Sequence, residues 1–260
     1  MLGKCKLCEL QAELKKSHIL PKSFVKRIRG GEAQLFKIPG EGMPRVQKTN
    51  GEYIKRMLCG SCEQLLDKNF EKYGTQLFVN SENFLEDGKR VLFTKFDYQR
   101  YFLFILSILW RGAVSGLAVY KQLAPLTFMS EAMRSCLMKN SMSTLHLIGF
   151  KIDRFMKLSI VRIFDPSGQI PQDAIDKVIL GVNAVKGSTL SHGVSYHFMV
   201  DGFYITCHIF PPDSRYLANW CPPGRILNRR FISIPKVAIS EIELVREAFN
   251  AAIASGENKE

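Results

Sequence analysis

Four of the seven cysteines fall in two short pairs, Cys5-Lys-Leu-Cys8 and Cys59-Gly-Ser-Cys62. Two residues between thiols let both sulfurs of a tight turn face one ion. Two such pairs complete the tetrahedral four-thiolate set that Zn²⁺ takes in structural sites. A closed set of that kind keeps no coordination position open for substrate, so this metal is expected to fold its module rather than do chemistry. Between the pairs, ten residues after Cys8, stands His18 in the run Ser17-His18-Ile19-Leu20-Pro21. An imidazole titrates near neutral pH and can take a proton from water, so His18 is a candidate general base. The alternatives for it are packing inside the zinc module or ligation of zinc in place of one thiol. Cys136, Cys207 and Cys221 have no partner spacing and read as small buried hydrophobes.

The 260 residues suffice for one large domain or two modest ones, and 46% apolar with 23% charged residues excludes wholesale disorder. Lys and Arg total 36 against 24 Asp and Glu, a net +12. Residues 1–60 hold thirteen of the bases and five of the acids, so +8 of that charge is concentrated there. Such a balance favours polyanionic partners, nucleic acid ahead of an anionic membrane; of the nucleic acids, DNA is expected ahead of RNA. The alternative is a solvated lysine-rich surface. An odd number of cysteines and the absence of an apolar run in MLGKCKLCEL point to a reducing cytoplasm. Phe102 to Tyr120 is long enough to cross a bilayer, but Arg111 at its middle costs about 2.5–3.5 kcal/mol on insertion scales. That run therefore reads as a buried helix with no membrane partner, and Arg111 must find a carboxylate or carbonyl inside the protein. No Walker loop, dinucleotide fingerprint or G-x-S-x-G appears, which leaves nucleotide hydrolysis and serine-hydrolase chemistry of those kinds without support.

The elements that must position these residues divide into three stretches, with no internal repeat. Residues 1–74 carry both cysteine pairs. Residues 75–140 read as helical, nearly continuous in apolar residues from Tyr98 to Leu109, broken at Pro125 and resumed from a Ser130 cap to Lys139. Residues 141–260 read as a mixed α/β domain. There Thr144–Phe150 and Leu158–Phe164 alternate as strands, and Asp165-Pro166-Ser167-Gly168 is a turn. Pro171–Val185 has helical spacing, and Val194–Val200 with Phe203–Phe210 flank Asp201-Gly202 as a hairpin. A last helix opens on a Ser240/Glu243 capping box and stops before Gly256. His192, His197 and His208 gather about that hairpin without a carboxylate or cysteine pair at ligand spacing. Arg225, Arg229 and Arg230 form a second basic patch, a nucleic-acid path, a partner-binding surface or plain surface charge.

The segments CKLC at 5–8, SHILP at 17–21 and LCGSC at 58–62, in that order, resemble the zinc-stapled branch of the HNH, or ββα-metal, endonucleases. The resemblance covers roughly the first 70 residues, and it extends to uncharacterised bacterial HNH-like proteins associated with defence against phage. It implies a structural zinc on Cys5, Cys8, Cys59 and Cys62, placed beside a hairpin and a helix. It implies His18 as the base that activates water against a scissile phosphate, with Glu63 as a ligand of a catalytic Mg²⁺ or Mn²⁺. Two positions depart from the family pattern. Ser17 stands where Asp or His usually ligates the metal, and Asn50 lies too far ahead of Cys59 to match the middle Asn. Glu63, Asp67 and Glu71 follow at i, i+4 and i+8, either to supply a missing ligand or as a solvated acidic face pairing with lysines.

The expectation is thus an α+β protein in three parts. A small zinc-bound ββα module (1–74) precedes a helical segment (75–140) and an α+β domain (141–260) open to a protein partner. The leading function is a metal-dependent endonuclease with His18 and Glu63 in its site and phosphate contacts from Lys22, Lys26, Arg27 and Arg29. The alternative is a zinc-folded nucleic-acid-binding or adaptor protein with a degenerate site.

Overall fold

The computed structural model describes residues 1–28, 35–37, 47–49, 53–79, 82–143, 151–186, 192–211 and 213–257. Helices and sheets are both extensive, so the fold is α+β. The first stretch runs β1 (Leu2–Lys4), β2 (Gln11–His18), α1 (Lys22–Ile28), β3 (Leu35–Lys37), β4 (Gln47–Thr49), β5 (Ile54–Cys59) and α2 (Gly60–Leu66). A π turn (Asp67–Glu71) joins α2 to α3 (Lys72–Gln76). Then come β6 (Phe84–Glu86), β7 (Arg90–Phe93), α4 (Tyr98–Ser115), a 3-10 segment (Ala118–Met129) and α5 (Ser130–Lys139). The last stretch holds β8 (Met156–Phe164), α6 (Gln172–Asp176), β9 (Ile179–Lys186), β10 (Val194–Val200), β11 (Phe203–Ile209), α7 (Tyr216–Asn219), β12 (Ile232–Ala238) and α8 (Glu243–Glu257).

Among the described residues the strands form two sheets. The small one has the order β1-β2-β5. The large one has nine strands in the order β4-β3-β9-β10-β11-β8-β12-β7-β6, so the antiparallel pairs β3–β4 and β6–β7 complete the sheet built by residues 156–238. One face of the large sheet, with Ile160, Tyr196, Phe198, Phe203 and Ile205, shares a core with α4, α5 and the small sheet. The other face carries Val161, Leu180, Met199 and Tyr204, covered by Ile175 of α6 and Val245, Ala248 and Phe249 of α8.

Helix α4 is the centre of the first core. Asp97 caps it by accepting from the Arg100 N–H, and Gly116 ends it in a left-handed conformation. In between, apolar side chains face every direction and nearly all are buried. A Cβ at Gly74 would collide with the Phe104 ring, so glycine there is what lets α3 lie close against α4. The chain bends by 108° after Ser115, and among the described residues no single helix is long and apolar enough to cross a membrane.

The Asp201-Gly202 turn has both residues at positive φ, as a two-residue hairpin with right-handed strand twist requires. Asp165 closes the following loop by accepting from Ser167 and Ile170 N–H, with Gly168 at φ +71°. Elsewhere the sequence pattern misleads. The helix expected over Pro171–Val185 stops at Asp176, and Ile179–Lys186 is a strand. Ile179 packs into one core and Leu180 into the other, so adjacent apolar residues serve two faces of one strand rather than one helix face. The expected α8 cap is also displaced: Glu241, not Glu243, accepts from the Ala238 N–H at 3.0 Å, and the helix continues through Gly256. Ser130 lies in the first turn of α5 and donates to the Thr127 carbonyl, and Pro125 sits inside the 3-10 segment without breaking it. The stretch 75–140 opens on the β6–β7 hairpin before it becomes helical. The strand expected over Thr144–Phe150 lies outside the described residues.

On the α8 side of the sheet, His197 lies 3.0 Å from the Thr206 hydroxyl, and burial, with His208 beside it, pushes its imidazole down to about 4. A histidine held below its unfolded value stabilises the fold above about pH 6.5 and loses that contribution as pH falls toward 4. His197→Asn is therefore expected to flatten the decline in melting temperature between pH 6.5 and 4, measured by thermal unfolding across a pH series. An unchanged slope would contradict a neutral buried His197.

Candidate metal centre and the histidine beside it

The first cysteine pair occupies the turn between β1 and β2. Glu9 N–H donates to the Cys5 carbonyl and Cys5 N–H to the Leu10 carbonyl, each at 2.9 Å, while Glu9 takes a positive φ of 65° to reverse the chain. Antiparallel pairing of β2 with β5, from Leu14 opposite Cys59 to His18 opposite Ile54, then delivers the second pair. Cys59 ends β5 and Cys62 lies in the first turn of α2. The four sulfurs all lie within 4.8 Å of one another, close enough to hold one metal ion. Cys8 and Cys59 sulfurs are 3.8 Å apart. A tetrahedron with metal–sulfur bonds of about 2.3 Å has edges of about 3.8 Å, so the separation is compatible with zinc. Cys59 N–H donates to the Cys5 sulfur at 3.3 Å. Burial alone pushes the Cys5 thiol up, but N–H groups of Cys8, Cys59 and Leu7 outweigh it and bring it down to about 7. Cys62 is pushed far up by burial among the other thiols, a crowding that a cation relieves.

His18 is the last residue of β2. The Ser17 side chain is fully buried and donates a hydrogen bond to Glu63 Oε1 on α2. Ser17 thus engages the carboxylate rather than standing as a separate ligand. Burial raises the Glu63 carboxyl, with Glu71 adding to the effect, while Ser17, Arg111 and His18 oppose it. Arg111, 1% exposed, has the partners that the sequence requires but does not name. Its Nη1 donates to the His18 carbonyl at 2.8 Å, Nε to the Ser107 carbonyl at 3.3 Å, and Nη2 lies 2.6 Å from Glu71 Oε1.

The stripe of Glu63, Asp67 and Glu71 does not survive as one face. The π turn separates its members: Asp67 is exposed and pairs with Lys72 at 3.5 Å, whereas Glu63 and Glu71 are half-buried beside Ser17 and Arg111. Among the described residues the cysteines are the one group whose ligand atoms already converge as a metal site needs. A second arginine grips the module from outside. Arg134 on α5 donates to the Leu7 carbonyl at 2.7 Å and pairs with Glu9 and Glu131.

Lys22 and Lys26 are exposed on α1, Arg27 belongs to the same helix, and Arg29 and Asn50 lie outside the described residues. Lys16, Lys55 and Arg56, in the sequence only part of the concentrated N-terminal charge, are exposed on the β2–β5 ribbon, with Lys16 opposite Arg56 and Lys55 opposite Ser17. Their signal is the pairing register, which a sequence does not print. The three histidines do not converge. His208 Nε2 meets the His192 carbonyl at 2.7 Å, its Nδ1 meets Ser195, and His197 meets Thr206. Arg225 donates to the Trp220 carbonyl, while Arg229 and Arg230 are exposed. Cys136 and Cys207 are buried as expected, but Cys221 is exposed, because it stands in an irregular segment between α7 and β12.

Metal analysis of protein purified without chelator is expected to give about one zinc per chain, and Cys62→Ser to lose it. Wild-type protein with far less than one would contradict four-sulfur ligation. Arg111→Met leaves the half-buried Glu71 without a counter-charge and is expected to cost about 3 kcal/mol in urea unfolding. The double variant Arg111→Met/Glu71→Gln should recover most of that loss, and equal instability of both would contradict the ion pair's role. Comparison of the chain with protein-family models, with curated proteins and with solved structures finds no match.

Proposed function

We propose that the chain is a zinc-stapled nucleic-acid endonuclease of HNH-like type, with His18 as general base. The observation that carries this reading is the convergence of His18, Ser17 and Glu63. The antiparallel pair β2–β5 and the helix that follows it (α2) bring Ser17 against Glu63, 46 positions away, with His18 close enough to act on the same carboxyl, beside the four-sulfur cluster. Cys5, Cys8, Cys59 and Cys62 would hold zinc, which keeps the end of β5 and the start of α2 in register with the first knuckle. Glu63 would hold Mg²⁺ or Mn²⁺, whose charge would stabilise the developing negative charge on the scissile phosphate. The His18 imidazole takes the proton from the attacking water, which needs it neutral at working pH. Lys22 and Lys26, with Lys16, Lys55 and Arg56 on the ribbon, are exposed cations that suit phosphate contacts without sequence choice.

A second reading has its own observation. Ser17 already hydrogen-bonds Glu63, and Glu71 is taken by Arg111, so one carboxylate remains to meet a hard cation. That favours a binding module built on the same scaffold. The two readings part on cleavage. With plasmid, single-stranded DNA and RNA as substrates and Mg²⁺ or Mn²⁺ present, the enzyme reading predicts cleavage that EDTA stops. His18→Ala should abolish it, by at least about 100-fold, with zinc content and folding unchanged. Salt-sensitive binding without cleavage would leave the binding module.

A further inference from the structure

We propose that Arg111 is the positioning residue of the His18 site, a role that rests on the cleavage reading above. Its guanidinium holds groups on three separate elements: it hydrogen-bonds the Ser107 carbonyl on its own helix and the His18 carbonyl at the end of β2, and it forms an ion pair with Glu71 at the end of the π turn. At 1% exposure it cannot meet substrate. It acts through what it holds.

What it holds is the point where β2 stops. His18 is the last residue paired with β5, and the chain turns away at Pro21 into α1. The imidazole leaves the backbone one bond from the segment that Arg111 grips, so the partner of the His18 carbonyl governs where the ring is presented. The π turn serves the same contact. Glu71, its last residue, meets the guanidinium, while Asp67, its first, is exposed and pairs with Lys72, and such turns inside helices occur disproportionately at functional sites. The result couples the strand that carries the base to the helix that carries Glu63, through α4, the most buried helix of the core. A lysine could keep the charge but not the arrangement, because three partners in three directions require the planar fork.

Arg111→Lys is therefore expected to keep zinc content, folding and nucleic-acid affinity while cleavage falls. Misplacement of a reacting group by about 1 Å costs on the order of 100-fold in rate. A drop in kcat of at least about tenfold with KM nearly unchanged is the expected result. The double variant Arg111→Met/Glu71→Gln removes both charges and guards against a variant that fails to fold. It should be folded and still slow. Wild-type kcat in a folded Arg111→Lys protein, or cleavage restored together with stability in the double variant, would overturn the positioning role and leave the cleavage reading intact. A wild-type chain that binds but never cleaves would overturn that reading itself, and the positioning role with it.

Discussion

A guanidinium taken out of water must be compensated by acceptors and a counter-charge, and Arg111 imposes that demand on the middle of the protein. Its helix has no polar face with which to answer it. The partners come instead from its own turn at Ser107, from the end of β2 and from the end of the π turn, so one buried charge ties the core helix to both halves of the small module. A buried pair of this kind is not by itself a large source of net stability, since desolvation offsets the Coulomb gain. Its effect is specificity: few arrangements of β2, the π turn and α4 satisfy all three contacts together.

The sulfur cluster and Arg111 act on opposite ends of β2, and Arg134 supports the sulfur end. The cysteines bring the β1–β2 turn to the junction of β5 and α2. Arg134 holds the outside of that turn through Leu7, and Arg111 holds the far end of β2 through His18. Between these fixed points lie Ser17, His18 and Glu63, on secondary structure rather than on a free loop. A site that must place a base and a carboxylate with small error gains from that construction, because each supporting contact removes freedom before any ligand arrives.

Much of this was legible in the residues themselves. Two C-x-x-C pairs announced a four-sulfur cluster because thiolate chemistry and turn geometry leave few other uses for that spacing. Asp201-Gly202 announced its hairpin because positive φ at both positions suits few residue pairs. The helical interior of α4 was plain from its unbroken apolar run. The misses have a common cause, which is that they depend on contacts between distant positions. Ile179 and Leu180 look like helix until two cores exist to receive them on opposite faces. Arg111 required a partner by physics alone, but its identity depends on the π turn that redirects Glu71. The i, i+4, i+8 spacing of Glu63, Asp67 and Glu71 assumed a regular helix, and one wider turn dissolved the stripe. Lys55 and Arg56 acquire their place near Ser17 only through strand register.

The central claim is that His18 and Glu63 form one cation-dependent site while Glu71 is withheld from it by Arg111. Crystals of the zinc-loaded protein exposed to Mn²⁺ test it most directly, because anomalous scattering locates manganese and distinguishes it from zinc. The account predicts one manganese bound to the Glu63 carboxylate on the His18 side, the Arg111–Glu71 pair intact, and zinc among the four sulfurs. Manganese absent from Glu63, or bound by Glu71 with Arg111 displaced, would contradict it.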